Sequence, residues 1–231
     1  MFRLTNTGLL AAILISNSQA FGAEIEDLSL ESDLIYGYSV DASSSVQGEL
    51  DVRPGIDLSL RNQTSLVASA RVRLDAQDKL DPGRRTFENY APASRPVDLG
   101  NTGTAEIRDF YWELRSARGL TRLGKQQIVW GRLDGIKVLD LVNPQDFREF
   151  IIDDFGDSRI GLWSAYFDYS LASWRAEVAI VPDGSGHGIP DAGAWYELTA
   201  PRFRFGASAN QPTPATVTES PGHTLDDTAY G

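Results

Sequence analysis

The sequence predicts an all-β fold, a partial antiparallel transmembrane β-barrel of which about seven to eight strands are present. Two observations predict it. Seven segments alternate apolar and polar residues, which gives each strand one apolar and one polar face. Short and long connections also alternate along the chain, which would place short turns at one end of the sheet and long loops at the other.

The clearest strand is Ser65–Asp75, in which every second residue is apolar: Leu66, Ala68, Ala70, Val72 and Leu74. The other predicted strands are Asp33–Val40, Gln47–Leu60, Glu106–Arg115, Thr121–Gly131, Arg159–Tyr169 and Trp174–Val181, with an eighth near Ala194–Tyr196. The short connections are Arg61–Thr64, Ser116–Gly119 and Ser170–Ser173; the long ones are Ala76–Gly103, Arg132–Asp157 and Asp183–Ala192. Most strands have about 9–11 residues, the length that a tilted strand needs to cross a bilayer.

One strand breaks the pattern, because neither side of Thr121–Gly131 is apolar throughout. Either a bulge shifts its phase, or apolar residues cover its inward side. The connection that follows is too apolar for a loop in water. Asn143 suits a helix N-cap and Pro144 the first helical position, so a short helix is predicted over Asn143–Phe155. Its apolar side is expected to face inward: Phe147, Phe150, Ile151 and Phe155.

The N-terminus has the features of a secretory signal peptide. Met1–Arg3 is basic, Leu9–Ile15 is apolar, and Ser18–Ala20 fits a cleavage site. We therefore expect residues 1–20 to be removed and residues 21–231 to form the N-terminal part of an outer-membrane barrel. The expected location is the bacterial outer membrane, and the expected partners are outer-membrane lipid and the barrel-assembly machinery.

Composition excludes several classes of function. The 231 residues contain no cysteine, which excludes disulfides and thiolate metal sites. A net charge of −11 argues against nucleic-acid binding. The chain has two histidines, His187 and His223, so few residues could take part in histidine-based catalysis. No enzyme activity, cofactor or metal is predicted. Asp153, Asp154 and Asp157 lack EF-hand spacing; a solvated acidic loop is favoured, and calcium binding is left open.

Two motifs resemble a known family. Leu123–Gly131 reads Leu-Gly-Lys-Gln-Gln-Ile-Val-Trp-Gly, and Asn143–Asp146 reads Asn-Pro-Gln-Asp. This pair resembles a proteobacterial outer-membrane β-barrel family of unknown function, distantly similar to alginate-export porins, over about Gln47–Pro182. The resemblance implies a barrel with many more strands. Because such barrels usually end on a strand with a terminal aromatic residue, we expect this chain to be the N-terminal part of a longer protein.

The leading functional hypothesis is a porin-like channel, or a substrate-binding or export protein, for small solutes or hydrophobic compounds. The mixed charges on the polar side argue against strong ion selectivity. The predicted pore-lining and constriction residues are Arg71, Arg73, Asp109, Glu113, Lys125, Gln127, Arg148, Glu149, Asp153, Asp168, Arg175 and Glu177. The alternatives are a secreted soluble β-sandwich that binds carbohydrate and a barrel enzyme acting on lipid, although no nucleophile–histidine pair is visible for the latter.

Overall fold

The computed structural model describes residues 2–3, 23–39, 44–82, 87–129, 142–149, 156–191, 193–194, 196 and 229–230. Eight strands lie between Glu24 and Val181: β1 (Glu24–Ser39), β2 (Ser44–Leu60), β3 (Thr64–Asp75), β4 (Val97–Asp98), β5 (Gly103–Ser116), β6 (Gly119–Gln126), β7 (Leu162–Leu171) and β8 (Trp174–Val181). Two-residue strands flank them, Phe2–Arg3 on β1 and Ala229–Tyr230 on β8.

All the strands form one antiparallel sheet in the order β1-β2-β3-β5-β6-β7-β8, and β4 pairs only with β5. The predicted all-β antiparallel class is therefore confirmed. In the described part of the chain β1 and β8 do not pair with each other, so this sheet is open and not a closed barrel. None of the described residues form a helix that is long and apolar enough to cross a membrane.

The predicted helix over Asn143–Phe155 is wrong for residues 143–149, which contain no helix. Gln145 instead pairs with Arg159 and Asp146 with Gly188 in isolated β-bridges. The Asn143 side chain does not cap a helix, because its Oδ1 accepts a hydrogen bond of 2.7 Å from the backbone N–H of Ile128. Residues 150–155 of the predicted helix, including Phe150, Ile151 and Phe155, lie outside the described residues.

Some strand limits also differ from the predictions. β1 begins at Glu24 rather than Asp33, and its pairing with β2 contains a register shift between Ile25 and Asp27. β6 ends at Gln126 and β7 begins at Leu162, so both are shorter than predicted. The eighth strand expected near Ala194 is wrong for the described residues there, since Ala194 and Tyr196 belong to no strand.

The register brings the alternating residues of neighbouring strands to the same side, because directly paired residues point the same way. Leu66 pairs with Leu58 on β2 and with Trp112 on β5, and Trp112 pairs in turn with Leu123 on β6. We call this side the apolar face and the opposite side the charged face. Several large side chains of the apolar face are exposed to solvent, and Trp174 is 78% exposed.

The charged face carries the small apolar core of the described residues. Ile128, Leu162, Ala179 and Val181 are buried together, and Val142 and Tyr166 pack against them. Val142 belongs to the long connection Arg132–Asp157 that was predicted to cover the irregular strand. The pairing of β6 with β5 and β7 runs without a register shift, so no bulge explains the loss of alternation. Val142 packs against the cluster that contains Ile128, just beyond β6, so apolar cover, the second predicted alternative, is seen at that position.

Gly124 lies in the second half of β6 and adopts a φ of +136°, which L side chains rarely adopt. A Cβ atom at this position would lie 2.2 Å from the Phe110 carbonyl oxygen on β5. We therefore expect Gly124→Ala to lower the free energy of unfolding by about 1–3 kcal/mol, measured by urea titration of the folded protein. Gly156→Ala is the control, since a Cβ there meets no atom within 4 Å. Equal stability of the two variants would contradict the expectation.

Candidate functional site

Three arginines lie side by side on the charged face, near the long-connection end of the sheet. Arg53 comes from β2, and Arg71 and Arg73 come from β3 at alternating positions that place them on one side of that strand. All three are buried, and Arg71 is only 1% exposed. A buried guanidinium requires carboxylates around it, because desolvation of an unpaired charge is costly.

Asp51 on β2 lies at the centre of this group. Its Oδ2 accepts hydrogen bonds from Arg71 Nε at 2.9 Å and Arg71 Nη2 at 2.6 Å. The same oxygen accepts a hydrogen bond of 2.6 Å from Arg53 Nη1. Arg53 also donates to Asp33 on β1, and its Nε lies 3.6 Å from Asp157 Oδ2. One carboxylate oxygen thus links two neighbouring strands through two guanidinium groups.

The 142–149 segment docks on these arginines. Glu149 Oε2 accepts a hydrogen bond of 2.6 Å from Arg73 Nη2 and lies 3.8 Å from Arg71 Nη2. Arg148 donates to Asp146 through Nε at 2.9 Å and Nη2 at 2.5 Å, and to Asp81 through Nη1 at 2.7 Å. Asp81 belongs to the long connection after β3. Charged contacts therefore join the sheet to two of its long connections.

The Asp146–Arg148 pair is fully buried, and its charges are mutually stabilised. Burial alone would raise the pKa of Asp146, but the Arg148 guanidinium, through its charge and its hydrogen bonds, holds that pKa well below its usual range. Burial alone would lower the pKa of Arg148, and the Asp146 and Asp81 carboxylates instead raise it. Both groups therefore stay charged at any ordinary pH.

Further hydrogen bonds tie the remaining connections together. Asn143 Nδ2 donates to the Ile160 carbonyl at 2.8 Å, which complements the bond its Oδ1 accepts from Ile128. Asp183 Oδ2 accepts from the Ser94 hydroxyl and from the Trp163 backbone N–H. Hydrogen bonds thus join the long connections to one another and to the ends of the strands.

A second charged group lies nearer the short turns. Glu113 is buried and accepts from Arg115 Nε at 2.5 Å and from Arg122 Nε at 2.6 Å. The Arg122 guanidinium also lies 5.1 Å from the centre of the Tyr111 ring. Arg175 donates to Asp168 at 2.8 and 2.6 Å and lies 3.4 Å from Glu177 Oε1.

The predicted site residues therefore separate into distinct places. Arg71, Arg73, Arg148 and Glu149 meet in the buried cluster; Glu113, Asp168, Arg175 and Glu177 lie toward the short turns. Asp109 accepts from Ser69 at 2.8 Å and from the backbone N–H of Gln127. Lys125 is buried and donates to the Ser94 carbonyl at 3.2 Å. Asp153 lies outside the described residues.

Sequence reasoning missed several members of the buried cluster: Asp33, Glu49, Asp51, Arg53, Asp81 and Asp146. The alternating pattern of β2 could have predicted Glu49, Asp51 and Arg53. They occupy every second position and therefore lie on the side of the strand opposite Leu50 and Val52. No local pattern marks Asp81, and the motif that contains Asp146 gives no sign of its buried ion pair. The described ranges contain no group of three or more histidine or acidic side chains that could hold a metal ion.

Comparisons with protein-family models, curated proteins and solved structures give no match for this chain. The resemblance to an outer-membrane barrel family therefore stays a prediction, and so do the expected location and partners.

Proposed function

We propose that this chain is part of a porin-like outer-membrane β-barrel that passes small solutes, with its apolar face toward lipid and its charged face toward the pore. The observation that carries the proposal is the reversed polarity of the sheet. Arg71 and Arg73 are buried on one side of β3, whereas Leu74, between Arg73 and Asp75 in sequence, is 42% exposed on the other. A transmembrane barrel has this arrangement, an apolar exterior and a polar interior.

The ends of the apolar face also support the proposal. Tyr36, near the long-connection end of β1, is 66% exposed, and Trp174, beside the short turn before β8, is exposed as well. Aromatic residues at both ends of an apolar band are typical of the two interfaces of a membrane. In a soluble β-sandwich the apolar faces of two sheets pack together, and no second sheet covers this face among the described residues.

Closure into a barrel would need additional strands. The path from β1 to β8 contains seven strands joined by antiparallel pairings, so the two outer strands run in the same direction. An all-antiparallel ring would therefore need an odd number of further strands between them. The pairing of Ala229–Tyr230 with β8 is antiparallel, as such a strand requires.

In this proposal the 142–149 segment narrows the pore. It lies on the pore-facing arginines through Glu149 and is anchored through Arg148 to Asp81. A solute would pass the charged groups of the segment and of the sheet. Such a constriction selects by size and by the arrangement of charges rather than by one charge sign.

The test is to locate the full-length protein by cell fractionation and to measure its conductance in planar bilayers. We expect recovery in the outer membrane, and we expect deletion of Pro144–Glu149 to raise the single-channel conductance. Arg118→Gln, in an exposed short turn, is the control and should leave conductance unchanged. Recovery as a soluble protein that binds carbohydrate would favour the β-sandwich, and an outer-membrane protein without conductance would contradict the pore.

A further inference from the structure

His187 joins the 142–149 segment to the 182–191 loop. Its Nδ1 accepts a hydrogen bond of 2.9 Å from the backbone N–H of Gln145. Two backbone bonds flank this contact: Gly188 N–H donates to the Gln145 carbonyl at 2.9 Å, and Phe147 N–H donates to the Gly188 carbonyl at 2.8 Å. The Phe147 and His187 rings lie 5.6 Å apart. The imidazole thus forms part of a small two-stranded contact between two long connections.

An imidazole accepts a hydrogen bond at Nδ1 only when that nitrogen carries no proton. The observed bond therefore requires neutral His187 with its proton on Nε2. The ring is exposed, so it exchanges protons with solvent. Protonation would place an Nδ1–H against the N–H of Gln145, which removes the hydrogen bond and sets two donors against each other. Histidine is the side chain whose ordinary titration falls between pH 5 and 8.

We infer that His187 is a proton-sensitive clamp: neutral, it adds a hydrogen bond between the 142–149 segment and the 182–191 loop, and protonated, it loses that bond and loosens the contact. The clamp itself is independent of the pore. Its consequence for solute passage rests on the proposed function, because the loosened segment is the one proposed to narrow the pore.

Several charged groups surround His187, and most of those in the two connections have partners of their own. In the 142–149 segment Asp146 and Arg148 remain an ion pair, and Glu149 binds Arg73. In the 182–191 loop Asp183 accepts from Ser94 and from Ser185. The 87–94 stretch, bound through the Gly186 N–H to the Asn89 carbonyl, contributes Glu88, which is exposed.

Asp191 is a second titratable group in the same loop, and its contribution to any pH dependence must be distinguished from that of His187. Burial, followed by the nearby Asp81 carboxylate, raises the pKa of Asp191. Two substitutions distinguish the groups. His187→Asn keeps an acceptor oxygen near the position of Nδ1 but cannot be protonated in this range, and Asp191→Asn removes the second titration.

The experiment is hydrogen–deuterium exchange of the full-length protein at pH 7.5 and pH 5, read as the protection factor of peptides that cover residues 144–149. We expect protection in the unsubstituted protein to fall about threefold to tenfold at pH 5, the effect of one lost hydrogen bond. His187→Asn should show no such fall, and Asp191→Asn should behave like the unsubstituted protein. His187→Phe, which lacks the acceptor, should show low protection at both pH values.

Equal protection at both pH values in the unsubstituted protein, or the same fall in His187→Asn, would overturn the clamp. Conductance separates this inference from the proposed function. With a working clamp and a working pore, conductance rises at pH 5 in the unsubstituted protein and not in His187→Asn. If exchange responds to pH but no variant conducts, the pore is wrong and the clamp stands. If the protein conducts but exchange does not respond, the clamp is wrong and the pore stands.

Discussion

Replacing Val72 by arginine is expected to destabilise the folded protein by about 2–4 kcal/mol and to reduce its assembly into the outer membrane. Val72 lies on the apolar face of β3, paired with Val52 on β2 and Ala105 on β5. If this face meets lipid, the guanidinium would lie in hydrocarbon with no carboxylate opposite it. The measurements are heat-modifiable gel mobility for assembly and urea titration in lipid vesicles for stability.

The same substitution on the other side of the same strand is the matched control. Val67 pairs with Asp57 and Tyr111, so Val67→Arg would place its guanidinium on the charged face opposite a carboxylate. We expect this variant, and also Val72→Leu, to assemble normally. Normal assembly of Val72→Arg, or equal damage from Val67→Arg, would show that the apolar face does not meet lipid.

Replacing Arg71 by methionine is expected to lower the free energy of unfolding by about 3–5 kcal/mol. Arg71 is almost fully buried and donates two hydrogen bonds to Asp51 and one of 3.1 Å to the Asp157 carbonyl. Methionine fills much of the same space but leaves Asp51 with one fewer cation in a buried site. The loss follows from the charge left behind rather than from a cavity. Urea titration of the purified full-length protein measures it.

Two further variants test that explanation. Arg71→Met combined with Asp51→Asn removes the uncompensated charge and should recover part of the lost stability. Arg175→Met breaks a similar two-bond pair with Asp168, but the Arg175 side chain is 54% exposed, so water replaces the lost contact and little change is expected. A large loss in Arg175→Met, or no recovery in the double variant, would mean that the effect does not come from burial of charge.

The alternating pattern was sufficient to place most strands and their two faces. Ser65–Asp75 was predicted nearly as it is, because its apolar and polar residues alternate without interruption. The first part of β1 was missed, and the irregularity between Ile25 and Asp27 accounts for its first few residues, where the alternation is broken. The helix expected from Asn143 and Pro144 failed for a different reason. The Asn143 side chain bonds to Ile128 and Ile160, which are distant in sequence, and such partners leave no local signal.

The sequence by itself determined the antiparallel β class, because side-chain alternation is a property of neighbouring residues and fixes which side of a strand each one takes. It also placed Arg71 and Arg73 opposite the apolar residues of β3. Only the tertiary structure decided which carboxylates they meet. Asp51 reaches Arg71 through strand register, and Glu149 and Asp81 arrive from separate connections whose folding depends on long-range hydrogen bonds. A buried charge is stabilised by whichever partners the fold brings within reach, and no local pattern specifies them.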